Sequence, residues 1–386
     1  MDAPANICSM SVLIPDAETM EALKVLRCLG QTPKMKTFIL SRDRWIMARF
    51  SRHCAGYYQN TSQTDDDWLN EIIKLVKELN IDIVLPVTVD GVELVSRNRQ
   101  TISEFAAIPP LAKPELIEMA NNKWAFHEFV KEHGLPGMPT VLLGNAGEAI
   151  DDSSTLDSVE YPALLKPTSQ RGGFGIVKLE DSSQFNGVWN NERIMKGQQY
   201  ILQSYIQADD YSLSVCCKQG EILAYTLYRV ILPSENPYRI GRLVEYVNEE
   251  SVLDVGRQLV SAMEWDGVAD IDLLFNERDH SVMILEFNPR FWQSLLGGMI
   301  AGVNFPLIWC MSAMGISMPS SQREGTRYAR PSLFVKMLTS KMRGKRFPVK
   351  IRWREGDLKY SVHDPLPELF NVAQKAVKRL RCESLN

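Results

Sequence analysis

The first third of the chain alternates short apolar runs with segments of helical spacing. Ser11-Val-Leu-Ile-Pro15 reads as a strand, and Ala17–Leu29 as the helix that follows it. Thr37-Phe-Ile-Leu40 is a second strand. Between Asp65 and Leu79 the apolar positions Trp68, Ile72, Ile73, Leu75, Val76 and Leu79 predict a helix, and Ile81–Pro86 a third strand. Strands alternating with helices predict a parallel sheet with helices on its faces. No glycine-rich dinucleotide fingerprint follows the first strand, where Asp16-Ala-Glu-Thr19 stands instead. Ordinary Rossmann cofactor binding is therefore not expected here.

Pro114 suits the first turn of a helix expected to run to Gly134. Lys123 lies beside its apolar stripe, with Met119, Ala120, Phe126 and His127 as helical neighbours. A solvated lysine snorkelling along that stripe is the plain alternative to a functional one. Strand-like runs follow at Tyr161–Pro167, Gly175–Leu179, Tyr200–Val215, Glu221–Val230 and Leu243–Val247, then a helix around Leu253–Met263 and a hairpin pattern over Ala269–Asn288. No charged residue stands between Phe291 and Gln322, and Leu295–Ile316 is long enough to cross a bilayer. Gly297, Gly298, Gly302, Asn304 and Pro306 interrupt it, so it reads as two buried helices around a break. The tail after Arg323 is basic and mixed.

Length changes this picture only by allowing two or three domains in 386 residues. Charge is nearly balanced, 43 basic against 47 acidic residues. That speaks against an extended basic surface for nucleic acid but leaves room for a local basic cleft. Seven cysteines without a CxxC pattern read as reduced thiols of a cytoplasmic protein. The start lacks a signal-peptide layout. The five histidines, His53, His127, His133, His280 and His363, have no ligand spacing and read as structural or surface groups.

The hairpin carries the sharpest chemistry. If it is centred near Asp279, Asp272 faces Glu286 and Asp270 faces Asn288, all on one face. The other face then holds Ile271, Leu273, Leu285 and Phe287. Carboxylates directly opposite each other repel. A divalent cation removes that objection, and oxygen-only donors suit magnesium shared with nucleotide phosphates. A solvent-facing acidic surface is the alternative. Arg290, two residues on, suits a phosphate or a developing oxyanion.

The loop Ser169-Gln-Arg-Gly-Gly-Phe-Gly175 joins two strands; its glycines let backbone N–H groups approach phosphate oxygens, and Arg171 adds charge. It is not a Walker A loop. Lys166, inside an apolar strand, needs a partner if buried, and a phosphate would serve. Gln203–Asp210 has a strand end that could read an adenine edge, although a polar loop is the default.

Taken in order, Lys123, Lys166-Pro167, Ser169–Gly175, Gln203–Asp210, Asp272 and Glu286-Phe-Asn-Pro-Arg290 resemble the ATP-grasp superfamily, in its carbamoyl-phosphate-synthetase-like, carboxylate–amine ligase branch. The resemblance implies an α/β chain, α+β in the grasp core. Residues 1–113 would be the pre-grasp parallel-sheet domain, 114–205 a linking helix and small lid subdomain, 206–320 the catalytic subdomain, and 321–386 an extension packed on the core. It implies ATP as cosubstrate and Mg2+, with Mn2+ as a substitute. Lys123 and Lys166 would hold the α and β phosphates, and the loop with Ser169, Gly172 and Gly173 would close over the triphosphate. Gln203, Ser204, Tyr205 and Ile206 would take the adenine and Asp210 the ribose. Asp272, Glu286 and Asn288 would bind the metal, while Arg290, Lys166 and Arg171 would serve catalysis.

The hinge often opens with Glu where Gln203 stands, and the ribose position is often Glu rather than the shorter Asp210. The implied activity is ADP-forming ligation of a carboxylate to an amine through an acyl phosphate. Carboxylation with bicarbonate, or ATP binding without turnover, are the alternatives. Expected partners are small-molecule carboxylates and amines, with a homodimer compatible and neither nucleic acid nor membrane expected. Arg229, Arg239 and Arg242 are candidates for a carboxylate clamp, or simply surface arginines.

Overall fold

Val12, Leu13 and Ile14 are fully inaccessible, as the central strand of a parallel sheet requires when helices cover both faces. The computed structural model describes residues 9–383 except 63, 147, 149–152, 171, 190, 192–193, 236–240, 319, 345 and 348. In the first unit, β1 (Met10–Ile14), β2 (Met35–Ser41), β3 (Cys54–Gln59) and β4 (Ile83–Val84) form a parallel sheet in the order β3-β2-β1-β4. The alternation of Cys54–Gln59 is too weak to mark it as a strand in the sequence. Helices α1 (Met20–Leu29), α2 (Asp65–Leu79), α3 (Val89–Arg97) and α4 (Arg99–Ser103) accompany this sheet. The bounds of α2 are those its periodicity predicts. The Thr64 hydroxyl accepts from Asp67 N at its start, and Asn80 closes it in the left-handed region at φ 51°.

The helix expected from Pro114 to Gly134 is two helices, α5 (Pro114–Asn121) and α6 (Lys123–Glu132). Asn122 adopts an extended conformation, and its side chain accepts from Trp124 N and Ala125 N. It therefore caps a new helix rather than continuing the old one, because an Asn side chain competes well for free N–H groups. Met119 and Ala120 are consequently not on the helix of Lys123.

The second unit is an antiparallel sheet, β5 (Thr140–Asn145), β6 (Ala163–Pro167), β7 (Val177–Leu179) and β8 (Gln199–Ser204), ordered β5-β8-β6-β7. With α7 (Phe185–Trp189) it closes a small core of its own around Leu165, Leu179, Phe185, Tyr200 and Leu202. The third is a six-stranded antiparallel sheet: β9 (Asp209–Lys218), β10 (Glu221–Leu232), β11 (Leu243–Tyr246), β12 (Gly267–Asn276), β13 (Ser281–Asn288) and β14 (Arg327–Ala329), ordered β13-β12-β9-β10-β11-β14. Cys216 and Cys217, on opposite faces of β9, are both inaccessible, so this sheet is covered on both sides. Helix α8 (Glu250–Ala262) packs closely enough that a Cβ on Gly256 would lie 2.1 Å from Leu213 Cδ2.

The charge-free stretch forms α9 (Leu295–Ala301) and α10 (Phe305–Ala313), bent by 89°. Gly302 at φ 111° and the Asn304 cap make the break. No single helix among the described residues is long and apolar enough to cross a membrane. After residue 320, β14 adds an edge strand to the third sheet. Helices α11 (Pro331–Met342), α12 (Leu358–His363) and α13 (Leu366–Glu383) follow. Asp364, ahead of α13, returns to the first unit by accepting from Arg27 Nε at 3.1 Å, Ser51 Oγ at 2.8 Å and Arg52 N at 2.8 Å.

Candidate active site

The break at Asn122 makes Lys123 the first residue of α6 and ties it to two other elements. Its N–H donates to Thr168 O at 2.9 Å, and its Nζ to Gln170 O at 2.6 Å. The same Nζ stands 3.1 Å from Glu286 Oε1. Lys123 thus joins the glycine loop to the hairpin.

Lys166 on β6 is 7% exposed. Its Nζ donates to Gln203 Oε1 on β8 at 2.6 Å, and Gln203 Nε2 donates to Thr140 Oγ1 on β5 at 2.9 Å. Three adjacent strands therefore hold one ammonium in place. Burial pushes the Lys166 ammonium down to about 8, against the attraction of Glu286.

On the hairpin, Asp270 pairs with Asn288 and Asp272 with Glu286, the register expected from the sequence. Nearer the turn a bulge shifts it, so Leu273 faces Ile284. Ile284 is buried at 3% exposure while Leu285 is only half-buried, a correction to the core set expected above. Asp270 is committed to the sheet, accepting from Ser212 Oγ at 2.9 Å and Ser214 Oγ at 2.7 Å. Asp272 Oδ2 accepts from Asn288 Nδ2 at 3.3 Å, and Arg290 reaches Asn288 Oδ1 at 3.3 Å.

Burial, with the neighbouring Asp270 and Glu286 charges, raises Asp272 well above the ordinary carboxylate range. Burial would raise Glu286 too, but the Lys123 and Lys166 ammoniums outweigh it and hold that carboxylate below its ordinary value. Among the described residues no three His, Cys, Asp or Glu side chains cluster as a metal cage. Two carboxylates and an amide oxygen could hold a hard cation only jointly with other oxygen donors, which suits magnesium carried on phosphates. Such a cation would also relieve the carboxylate crowding around Asp272.

Lys123, Lys166, Gln203 and Glu286 give the polar lining of a narrow cleft. Phe126, His127, Val130, Met138, Ile201, Ile284 and Leu285 complete it with largely apolar walls. His127, read from the sequence as structural or surface, lines this cleft. Thr140 and Met138 carried no sequence signal, since each acts through a neighbour in space.

In the glycine loop Gly172, Gly173 and Gly175 all take positive φ, between 66° and 75°. Such backbone favours glycine and turns the chain tightly. Ser169 Oγ donates to Gln198 Oε1 at 3.3 Å. Arg171 lies outside the described residues. At the end of β8, Ser204 N donates to Pro139 O and Tyr205 N to Pro162 O. Ser204 Oγ accepts from Glu160 N, and Lys178 Nζ stands 4.8 Å from the Tyr205 ring centroid. Ile206 follows, half-buried, and Asp210 lies near the start of β9 opposite Leu274. Arg229 pairs with Glu245 at 3.0 Å and Arg242 Nε donates to Pro233 O at 2.9 Å, so both have local partners. Arg239 lies outside the described residues.

Residues 120–294 match the ATP-grasp domain family. The chain is 24% identical over 262 residues to D-aspartate ligase of Enterococcus faecium, covering 62% of each chain. It is 20% identical over 226 residues to the arginine-specific carbamoyl phosphate synthase large chain of Bacillus subtilis, covering 57% of this chain and 21% of that one. The chain thus spans less than two thirds of these relatives' lengths. Among solved structures, carboxyaminoimidazole ribonucleotide synthase from Aspergillus clavatus, complexed with ATP, superposes with a TM-score of 0.65 at 15% identity, over 86% of both chains. A biotin carboxylase complex from Campylobacter jejuni gives 0.61 at 16% identity, over 82% of this chain and 74% of that one. The match to an ATP-grasp domain thus covers residues 120–294, and the chain has the ATP-grasp fold.

Proposed function

We propose that this ATP-grasp chain is an ADP-forming ligase that joins a carboxylate to an amine through an acyl phosphate. The observation that carries the reading is the convergence of Lys123 and Lys166 on Glu286, itself paired with Asp272. Two ammoniums beside two carboxylates form an arrangement that a triphosphate and its divalent cation complete together. The D-aspartate ligase relative supports the amide-forming class.

In this reading Lys123 and Lys166 neutralise the nucleotide phosphates. The loop carrying Ser169, Arg171, Gly172 and Gly173 covers them. Gln203 to Ile206 border the adenine and Asp210 the ribose. Asp272, Glu286 and Asn288 would hold Mg2+, which supplies charge neutralisation of the phosphates when bound. A substrate carboxylate oxygen attacks the γ-phosphorus and ADP leaves. The amine then attacks the acyl carbon, inorganic phosphate leaves, and the amine loses a proton. Arg290, anchored at Asn288, faces the developing charge. No nucleophilic side chain is needed, so positioning and electrostatics do the work.

The biotin carboxylase among the structural neighbours supports a second reading, in which bicarbonate is the activated acid. An ADP-release assay with ATP and magnesium tests both. Stimulation by pooled amino acids supports amide ligation, and stimulation by bicarbonate alone supports the second reading. Tight ATP binding with no stimulation by any pool would refute turnover.

A further inference from the structure

We propose that α11 and the segment after it dock on an anionic lipid surface. From Arg323 onward the chain holds 16 Lys and Arg against 6 Asp and Glu, whereas residues 1–322 hold 27 against 41. A nearly neutral total therefore conceals a basic end on an acidic body. This asymmetry plays no part in the cleft described above.

Helix α11 shows what the basic end presents. Leu333 and Phe334 pack inward against Leu243 and Ala329. Val335, Leu338 and Met342, spaced i, i+3 and i+7, form a stripe that is 62%, 59% and 79% exposed. Lys341, Arg343 and Arg346, at the end of this stripe, are exposed as well. An apolar stripe bordered by cations is the pattern of a helix lying in a membrane interface, where methyl groups meet acyl chains and cations meet phosphates. This is attachment to a surface, distinct from a helix that crosses the bilayer.

Two other occupants fit less well. Nucleic acid would satisfy the cations, but Val335, Leu338 and Met342 offer its bases no ring to stack on. A second copy seated on the same stripe would bring like charges together.

The test is co-sedimentation of the full chain with phosphatidylcholine vesicles, with and without phosphatidylglycerol. Binding is expected only with the anionic lipid and should weaken with salt. Lys341→Ala, Arg343→Ala and Arg346→Ala should each lower partitioning about fivefold, and Leu338→Glu with Met342→Glu should abolish it. These positions are exposed, so an unchanged thermal midpoint should accompany the loss. Equal binding to neutral vesicles, or none to anionic ones, overturns the proposal. So does RNA binding through the same cations without lipid binding, or a dimer in size-exclusion chromatography that Leu338→Glu dissociates.

Discussion

Lys166 Nζ and Gln203 Oε1 lie 2.6 Å apart on neighbouring strands, which fixes a buried ammonium at the wall of the cleft. The contact joins elements 37 residues apart in sequence. It orients the lysine without neutralising it, since an amide oxygen carries no net charge. The ammonium is therefore left available to an anion, at a cost in stability.

That cost should appear in a pH series. The Lys166 ammonium lies at about 8 in the folded chain against an ordinary 10.5. Below pH 8 it is charged in both states and its burial penalty is fully present. Between 8 and 10.5 the unfolded chain binds more protons, so stability rises with pH. Measured by urea unfolding, the wild type should gain about 3 kcal/mol relative to Lys166→Met across that window. ATP affinity should fall over the same range in the wild type and stay flat in the variant. A constant stability gap would contradict a displaced Lys166.

Glu286→Gln should lower ADP release by a factor of about 100 to 1,000 and leave the circular dichroism spectrum unchanged. Glu286 faces both lysines and Asp272, so the charge matters more than the shape. Activity within threefold of wild type would remove Glu286 from the proposed metal site.

Asp272→Asn should separate stability from turnover. Burial and the Asp270 and Glu286 charges disfavour the Asp272 carboxylate, and an amide removes that repulsion. The ligand-free variant should gain about 1 kcal/mol in thermal or denaturant unfolding while ADP release is lost. A fall in stability would mean that Asp272 is satisfied without a cation.

Asp364→Ala should be severe although it lies far from the cleft. Arg27 and Asp364 side chains are 4% and 2% exposed, and the variant strands a buried guanidinium. A loss of about 3 to 5 kcal/mol in urea unfolding is expected. A loss below about 1 kcal/mol would show that Glu368, 2.8 Å from Arg27, replaces the partner.

Local periodicity made much of this molecule legible. The bounds of α2 follow from its apolar spacing, and the pairing of Asp272 with Glu286 from a hairpin count. The bent, buried pair α9 and α10 follows from the glycines and proline of a charge-free stretch. Each depends on neighbours in sequence, where the periods of helix and strand act directly.

What sequence could not decide lies between elements. A bulge exchanged Ile284 for Leu285 opposite Leu273, and Asn122 ended one helix and capped the next. That cap set Lys123 at a helix start, facing Glu286. The relay from Lys166 through Gln203 to Thr140 needs three strands to pair in the order the sheet adopts. The sequence by itself determined which residue types carry charge and which strand face they share. Only the tertiary structure decided that two lysines from separate elements converge on one carboxylate, because that convergence comes from strand order and helix capping, where partners distant in sequence compete for the same backbone and side-chain groups.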